Sequence, residues 1–183
     1  MGNSRLKTIT QDWTLFLDRD GVINEKREDD YVKNWDEFIF CIDSKKALNR
    51  LSKVFDKIFI VTNQRGVGRK LMTIEDLNKI HSEMLLKINQ AGGHITDIFC
   101  CTHDEINHPD RKPNIGMAKQ AQRKYPKINF NKSLMIGDSE SDILFGTKLN
   151  MLTILISKEK IKGNIQPNFQ FRNLFEFSEE FDI

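Results

Sequence analysis

The sequence has no apolar run of about 18 residues, the length a membrane-spanning helix needs, so no transmembrane helix is expected. Its opening residues 1–7 lack the apolar core of a secretory signal, and Leu6 stands where a myristoylation signal has Ser or Thr. Cysteine is scarce and odd in number: Cys41, Cys100 and Cys101, two of them adjacent. That argues against a disulfide framework and leads us to expect a reducing, cytoplasmic setting. An excess of one charge is also missing, with 28 Lys+Arg against 26 Asp+Glu, a net +2. Neither a nucleic-acid nor a membrane partner is expected on that balance, although a local basic pocket for a small anionic molecule is compatible with it. Internal repeats, low-complexity tracts and clear linkers are absent as well.

What is present fits one globular domain, 1–183, with hydrophobic residues at 39% and charged residues at 30%. A monomer is expected. Short apolar runs occur at residues 13–17 (WTLFL), 58–61 (IFIV), 96–101, 134–136 and 151–156 (MLTILI). Continuous runs of this length suit strands buried on both faces, as in a parallel sheet. Helical stripes lie between them. Ala47, Leu48, Leu51, Val54 and Phe55 share one face, and Ile74, Leu77, Ile80, Met84, Leu85 and Ile88 form a longer stripe. Thr73 with Asp76 predicts a capping box at the start of that second helix, and Gly92-Gly93 predicts its end. Met117, Ala118 and Ala121 mark a third helix stopped before Pro126, and Ile143, Leu144 and Leu149 mark a fourth. The alternation predicts an α/β fold, a doubly wound, mostly parallel sheet with helices on both faces. Residues 21–43 are too long for an ordinary connection and predict a flap over the site. The tail with Phe169, Phe171, Phe175, Phe177 and Phe181 is expected to pack back on the core.

In such sheets ligands lie beyond the carboxyl ends of the strands, so the polar residues just after each run carry the information. Leu17-Asp18-Arg19-Asp20-Gly21 puts two carboxylates two residues apart. One reading is a polar turn opened by Gly21. The other is a nucleophile that attacks phosphorus, beside a general acid that protonates the leaving oxygen and later deprotonates water. Two carboxylates facing an anionic substrate call for a hard cation such as Mg²⁺. Val61-Thr62-Asn63-Gln64-Arg65-Gly66 follows the second run; its hydroxyl and amides could hold phosphate oxygens, or form an ordinary polar loop. Arg111-Lys112-Pro113 precedes the third helix. Lys112 could neutralise a transferred phosphoryl group and Arg111 could fork onto a second anionic group, or both could be surface charge. In Gly137-Asp138-Ser139-Glu140-Ser141-Asp142, Asp138 is either a helix N-cap or a further Mg²⁺ ligand with Asp142 supporting it. The four segments stand in the order one pocket requires.

Taken together, LDRDGVIN (residues 17–24), VTNQRGVGR (61–69), RKP (111–113) and GDSESD (137–142) resemble the four motifs of the haloacid dehalogenase superfamily of aspartyl phosphatases. Within it, the chain most resembles the group of D,D-heptose 1,7-bisphosphate and histidinol-phosphate phosphatases, over about residues 14–156. The heptose branch is favoured by Tyr31-Val32 and by RKPxxGM (residues 111–117). The short chain leaves little room for a large cap domain, and the resemblance implies a phosphomonoester hydrolase acting on a small metabolite, most simply a sugar phosphate such as D-glycero-D-manno-heptose 1,7-bisphosphate. It implies Asp18 as nucleophile, Asp20 as general acid/base, and Asp18, the Asp20 carbonyl and Asp138 as Mg²⁺ ligands. Thr62 and Lys112 would hold the phosphoryl group. Arg19, Asn24, Asn63, Gln64, Arg65, Arg111 and Ser139 would contact substrate. The chain departs from the group in three places. Relatives with zinc carry C-x-H then C-x-C before RKP, whereas here Cys101 and His103 are followed by His108 and Asp110 in a short loop, 101–113; these four could in principle still hold Zn²⁺, but the favoured reading is a trimmed, zinc-free loop. His103 and His108 are then exposed or substrate contacts, and Cys41 and Cys100 buried apolar groups. Ser139 stands where relatives commonly have Lys, and residues 25–30 are longer and more charged than usual. Rival readings are a histidinol-phosphate phosphatase, a polynucleotide 3′-phosphatase and, outside enzymes, a receiver-like phosphoacceptor domain.

Overall fold

A computed structural model describes residues 5–28, 30–159 and 165–182. Residues 1–4, on which the leader-peptide reading bears, and Asp29, within the charged stretch, lie outside the described residues. The apolar runs become strands β1 (Thr14–Leu17), β2 (Lys57–Asn63), β3 (Asp97–Cys101), β4 (Ser133–Gly137) and β5 (Leu152–Ile156), and a sixth, β6 (Phe169–Phe171), follows. All pairings are parallel and the order is β3-β2-β1-β4-β5-β6. The doubly wound parallel sheet expected from the alternation is therefore the fold. Strand β6 escaped the sequence reading because Phe-Gln-Phe is too short to show a period.

Side chains alternate across the sheet, so each strand feeds two cores. Leu15, Leu17, Ile58, Ile60, Leu134 and Ile136 face one side with α1 (Ser44–Val54), α3 (Ile74–Gln90) and α6 (Leu174–Ser178), while the single turn α2 (Arg65–Gly68) follows β2. Phe16, Phe59, Val61, Phe99 and Met135 face the other with α4 (Gly116–Lys124) and α5 (Glu140–Lys148). The Phe-rich tail packs back as expected: Phe177 and Phe181 bury against α1, with the Phe181 ring 5.7 Å from that of Phe55. The Thr73–Asp76 capping box forms at the head of α3, and Gly92, at φ +82°, follows its end.

Two local devices shape the sheet's carboxyl edge. The fourth and fifth backbone amides after Arg19 close on its carbonyl (Ile23 and Asn24 N–H at 2.8 and 3.1 Å), curling the chain straight back after β1. The segment 21–43 then returns along itself, with Glu25 N–H to Ile39 O and Cys41 N–H to Ile23 O. Val32 and Phe38 are buried beneath it, and the Trp35 ring stacks on Phe38 at 5.0 Å. Apolar anchoring of this kind makes the segment a packed wall with charged residues left on its rim. Cys41 and Cys100, expected to be buried, are half-buried: Cys41 lies in the segment before α1, and Cys100 lies on β3, an edge strand of the sheet.

Candidate active site

Strand β1 lies between β2 and β4, so the loops after all three meet at one edge. Asp18 is the first residue past β1, and its amide still bonds Ile136 O at 2.8 Å, which keeps it in line with the strand. Its Oδ1 accepts from the Arg19 amide at 2.7 Å and from Lys112 Nζ at 2.9 Å. Lys112 Nζ also reaches Asp142 Oδ1 at 2.6 Å. Burial alone would lower the Lys112 pKa, but Asp142 and Asp18 outweigh it and hold the ammonium above its usual value. Burial pushes Asp18 up to about 7, with Lys112 opposing and the Asp142, Asp20 and Asp138 carboxylates adding to the rise.

Asp18, Asp138 and Asp142 place carboxylate oxygens within 4.8 Å of one another. Asp142 is committed on both sides: Oδ1 to Lys112, and Oδ2 to the amide and hydroxyl of Ser139 at 3.1 and 2.6 Å. Asp138, in contrast, has a buried Oδ1 with no hydrogen-bond partner, while Oδ2 meets Lys26 Nζ at 2.7 Å. Burial raises the Asp138 pKa against the pull of Lys26. An orphaned carboxylate oxygen beside a second, proton-affine carboxylate is the donor set a hard divalent cation takes, so the residues present fit Mg²⁺. Two glycines permit the crowding. A Cβ on Gly21, at φ +83°, would lie 2.2 Å from Asp138 Oδ2, and one on Gly137 would lie 2.1 Å from Asp142 Cβ. The N-cap of α5 is Ser139, not Asp138, and Asp142 closes the capping box.

Asp20 sits in a separate frame. Its Oδ1 accepts from Arg19 Nη2 at 3.0 Å and Asn24 Nδ2 at 2.9 Å, and its Oδ2 from Gln64 Nε2 at 2.8 Å. Burial works to raise its pKa, yet the Arg19 guanidinium and these donors outweigh burial and hold it below the ordinary range. Arg19, Asn24 and Gln64, expected against the substrate, are 0%, 0% and 1% exposed. The cause is plain: each side chain is spent on Asp20, and Arg19 also meets His81 Nε2 at 3.2 Å, although Arg19 still lines the cleft. Thr62 is wholly buried at the end of β2, and its hydroxyl accepts from Gln64 Nε2 at 2.8 Å.

The cleft beside these groups is lined by Asp18, Asp20, Asn63, Arg111, Lys112, Asp138 and Ser139, with Lys26, Arg27, Asp30, Tyr31 and Val32 from the 21–43 segment as its outer wall. Asn63 does two jobs: it lines the cleft, and it exchanges hydrogen bonds with the Lys112 backbone. Arg111 keeps a buried Nη1 with no partner. Arg65 turns away to Asp104, at 2.6 Å, and lines a neighbouring hollow rather than this cleft, a correction to the expected substrate contacts. In the 101–113 loop, Cys101 Sγ lies 3.7 Å from His108 Nδ1, and the exposed His103 ring stacks on His108 at 3.8 Å. Asp110 offers His108 only its amide, at 3.2 Å. Sequence reasoning placed the segment 24–31 near substrate but missed the Lys26 contact with Asp138, and it missed His81. Lys26 is an ordinary charge in a charged stretch. His81 does leave a trace, as the one imidazole inside the apolar stripe of α3, where it is buried and its pKa falls to about 3 through burial and the neighbouring Arg19.

A parallel α/β sheet carrying an Asp-x-Asp after its central strand, a buried lysine beside the first carboxylate and a further acidic pair after the adjacent strand defines a haloacid dehalogenase-type phosphatase. Comparison with known proteins agrees. The family described as polynucleotide kinase 3 phosphatase matches residues 11–166. The chain is 37% identical over 132 residues to D-glycero-alpha-D-manno-heptose-1,7-bisphosphate 7-phosphatase of Mycobacterium bovis, covering 72% of this chain and 70% of that one. It is 36% identical over 130 residues to D-glycero-beta-D-manno-heptose-1,7-bisphosphate 7-phosphatase of Neisseria meningitidis, covering 70% and 68%. Among solved structures, D,D-heptose 1,7-bisphosphate phosphatase from B. bronchiseptica, complexed with magnesium and phosphate, matches with a TM-score of 0.83 at 30% identity, over 91% of this chain and 97% of that one. The chain belongs to the polynucleotide kinase 3 phosphatase family, among the haloacid dehalogenase-superfamily phosphatases, and is a hydrolase of phosphate esters. Among the described residues, no helix is long and apolar enough to cross a membrane.

Proposed function

We propose that this chain is a Mg²⁺-dependent phosphomonoesterase acting on a small sugar phosphate, heptose 1,7-bisphosphate foremost, in the cytoplasm. The observation that carries the reading is the single ring formed by Asp18, Lys112, Asp142 and Asp138 at adjacent strand ends, with Asp20 beside it. Asp18 and Asp138, with the Asp20 carbonyl, would hold the metal, and Asp142 supports Lys112. Mg²⁺ held there would supply the positive charge that offsets the carboxylates facing the incoming phosphate.

Asp18 Oδ1 is occupied by Lys112 and the Arg19 amide, so Oδ2 is the attacking oxygen. Its bond to phosphorus forms as the ester P–O bond breaks in line. Lys112 neutralises the equatorial oxygens. Thr62 accepts from Gln64, which leaves its own hydroxyl hydrogen to donate to phosphate. Asp20, protonated from solvent water once the phosphate dianion has arrived, gives that proton to the departing alkoxide. Water, deprotonated by Asp20, then attacks the aspartyl phosphate, releasing inorganic phosphate and restoring the Asp18 carboxylate. Asp20 is held anionic by Arg19 and Asn24, and the arriving phosphate dianion is the like charge that raises its proton affinity for this task.

Support for a bisphosphate comes from the relatives' substrates and from Arg111, whose partnerless Nη1 suits a second anionic group. The family description favours a second reading, a 3′-phosphorylated nucleic-acid end. The near-neutral charge balance weighs against it. The deciding experiment measures phosphate release from both anomers of heptose 1,7-bisphosphate, histidinol phosphate and 3′-phosphorylated DNA, with and without Mg²⁺. Both anomers belong in the panel because relatives of nearly equal identity carry alpha and beta names. Mg²⁺-dependent release, fastest from one heptose anomer and lost in Asp18→Asn, is expected. Preference for DNA ends, or turnover retained by Asp18→Asn, overturns the reading.

A further inference from the structure

The ion pair between Lys26 and Asp138 joins the outer wall of the cleft to the metal-binding carboxylates. Lys26 Nζ lies 2.7 Å from Asp138 Oδ2, across 112 residues of sequence. The side chain is 53% exposed while that of Asp138 is 13% exposed, so the ammonium reaches inward from a surface segment. Asp138 is one of the three carboxylates whose oxygens gather within 4.8 Å.

Charge counting shows why this contact cannot be passive. Asp18, Asp138 and Asp142 bring three negative charges, and buried Lys112 answers one of them. Lys26 supplies a second positive charge in a position where a divalent cation needs the same carboxylate. Lys112 is fixed between two carboxylates and stays. Lys26 is on a long, half-exposed stem and has room to leave. The neighbouring Arg27 is otherwise engaged, with Asp30 and Glu37 at 3.5 and 3.7 Å. Like charges within a cluster this narrow repel by more than a half-exposed ion pair returns.

We propose that Lys26 is an internal stand-in for the metal. It holds Asp138 until Mg²⁺ displaces it, and the freed ammonium then closes onto the phosphate of the bound ester. The exchange couples the 21–43 wall to metal loading: the wall is tied to the cluster before the metal enters and tied to substrate afterwards. The inference rests on the reading of Asp138 as a Mg²⁺ ligand and adds a residue on a surface segment to the reaction's binding groups. It also gives a reason for a lysine in the charged stretch 25–30.

The test is calorimetric and independent of turnover. Mg²⁺ binding is titrated into the full-length wild type, Lys26→Met and Arg27→Gln, and inorganic phosphate is then titrated into each Mg²⁺-loaded protein. Lys26→Met should bind Mg²⁺ about twofold to fivefold tighter, the worth of a half-exposed ion pair, and inorganic phosphate about threefold to tenfold weaker. Arg27→Gln should leave Mg²⁺ affinity unchanged. Opposite movement of the two affinities from one substitution is the signature of a handover. Mg²⁺ affinity that stays the same or weakens in Lys26→Met overturns the stand-in role, because Lys26 would then merely orient Asp138. Tighter Mg²⁺ with unaltered phosphate overturns the closing step. Absence of Mg²⁺ binding in the wild type and both variants defeats the metal-site reading itself, a distinct result from either of these.

Discussion

Asn63 and Lys112 are locked by a reciprocal pair of hydrogen bonds: Asn63 Nδ2 donates to the Lys112 carbonyl at 3.2 Å, and Asn63 Oδ1 accepts the Lys112 amide at 3.0 Å. One side chain at the end of β2 thereby sets the backbone from which the Lys112 ammonium reaches Asp18 and Asp142. A reaction that depends on charge placed within tenths of an ångström is sensitive to such a clip.

Asn63→Ala is expected to lower kcat about tenfold while reducing stability by only about 1–2 kcal/mol, the worth of two partly buried hydrogen bonds. Steady-state kinetics beside a thermal melt checks it. A kcat equal to wild type would show that Lys112 is positioned by its own ion pairs alone.

Asp20→Asn keeps the shape of the side chain but turns an NH2 against one set of donors, Gln64 or Arg19 and Asn24, and has no proton to give or take. Turnover should fall about 10²–10⁴-fold. With a substrate whose leaving group needs no protonation, phosphorylated protein should accumulate, visible as an 80-dalton gain in intact mass, about that of one phosphoryl group. Equal turnover of such a substrate by variant and wild type, with no accumulation, would remove Asp20 from the second half of the reaction.

Gly21→Ala forces a Cβ to within 2.2 Å of Asp138 Oδ2 from a backbone at φ +83°. A side chain there costs about 1–2 kcal/mol in backbone strain and must push the Asp138 carboxylate aside. Mg²⁺ affinity is expected to drop about 10-fold to 100-fold, the usual cost of disturbing a ligand's support. Titration calorimetry would contradict this if the affinity stayed within twofold.

His81 gives an acid limb to stability. Its folded pKa is about 3, depressed by burial and then by Arg19, against an ordinary value of 6.5. The folded state therefore binds fewer protons than the unfolded state between those values, and stability is lost as pH falls from about 6.5 toward 3, at up to about 1.4 kcal/mol per pH unit. His81→Gln keeps an acceptor for Arg19 and removes this titration. Denaturant melts from pH 7 to pH 4 should show a shallower decline for the variant; parallel declines would place the acid sensitivity elsewhere.

Much of this was readable in advance, for identifiable reasons. Strands buried on both faces must be apolar throughout, so WTLFL and MLTILI declare themselves. Thr73 and Asp76 declare a helix start because capping needs those atoms at that spacing. The polar residues after each strand carried the resemblance because chemistry requires them to be polar where packing would prefer otherwise. The directions of the side chains were not readable. Arg19 follows a catalytic-looking aspartate and invites a substrate role, yet its guanidinium points inward, to Asp20 and a histidine 62 residues away. Arg65 belongs to a phosphate-type loop and pairs instead with Asp104.

The order of residues along the chain determined the parallel α/β fold and the four polar strand ends, because local periodicity and the solvent preference of each side chain are properties of short windows. Only the tertiary structure decided that β1 lies between β2 and β4, that Asp142 serves Lys112 while Asp138 keeps an oxygen free, and that Lys26 reaches Asp138. Those outcomes depend on which distant charges burial forces together, and contacts spanning a hundred residues leave no period in the sequence to read.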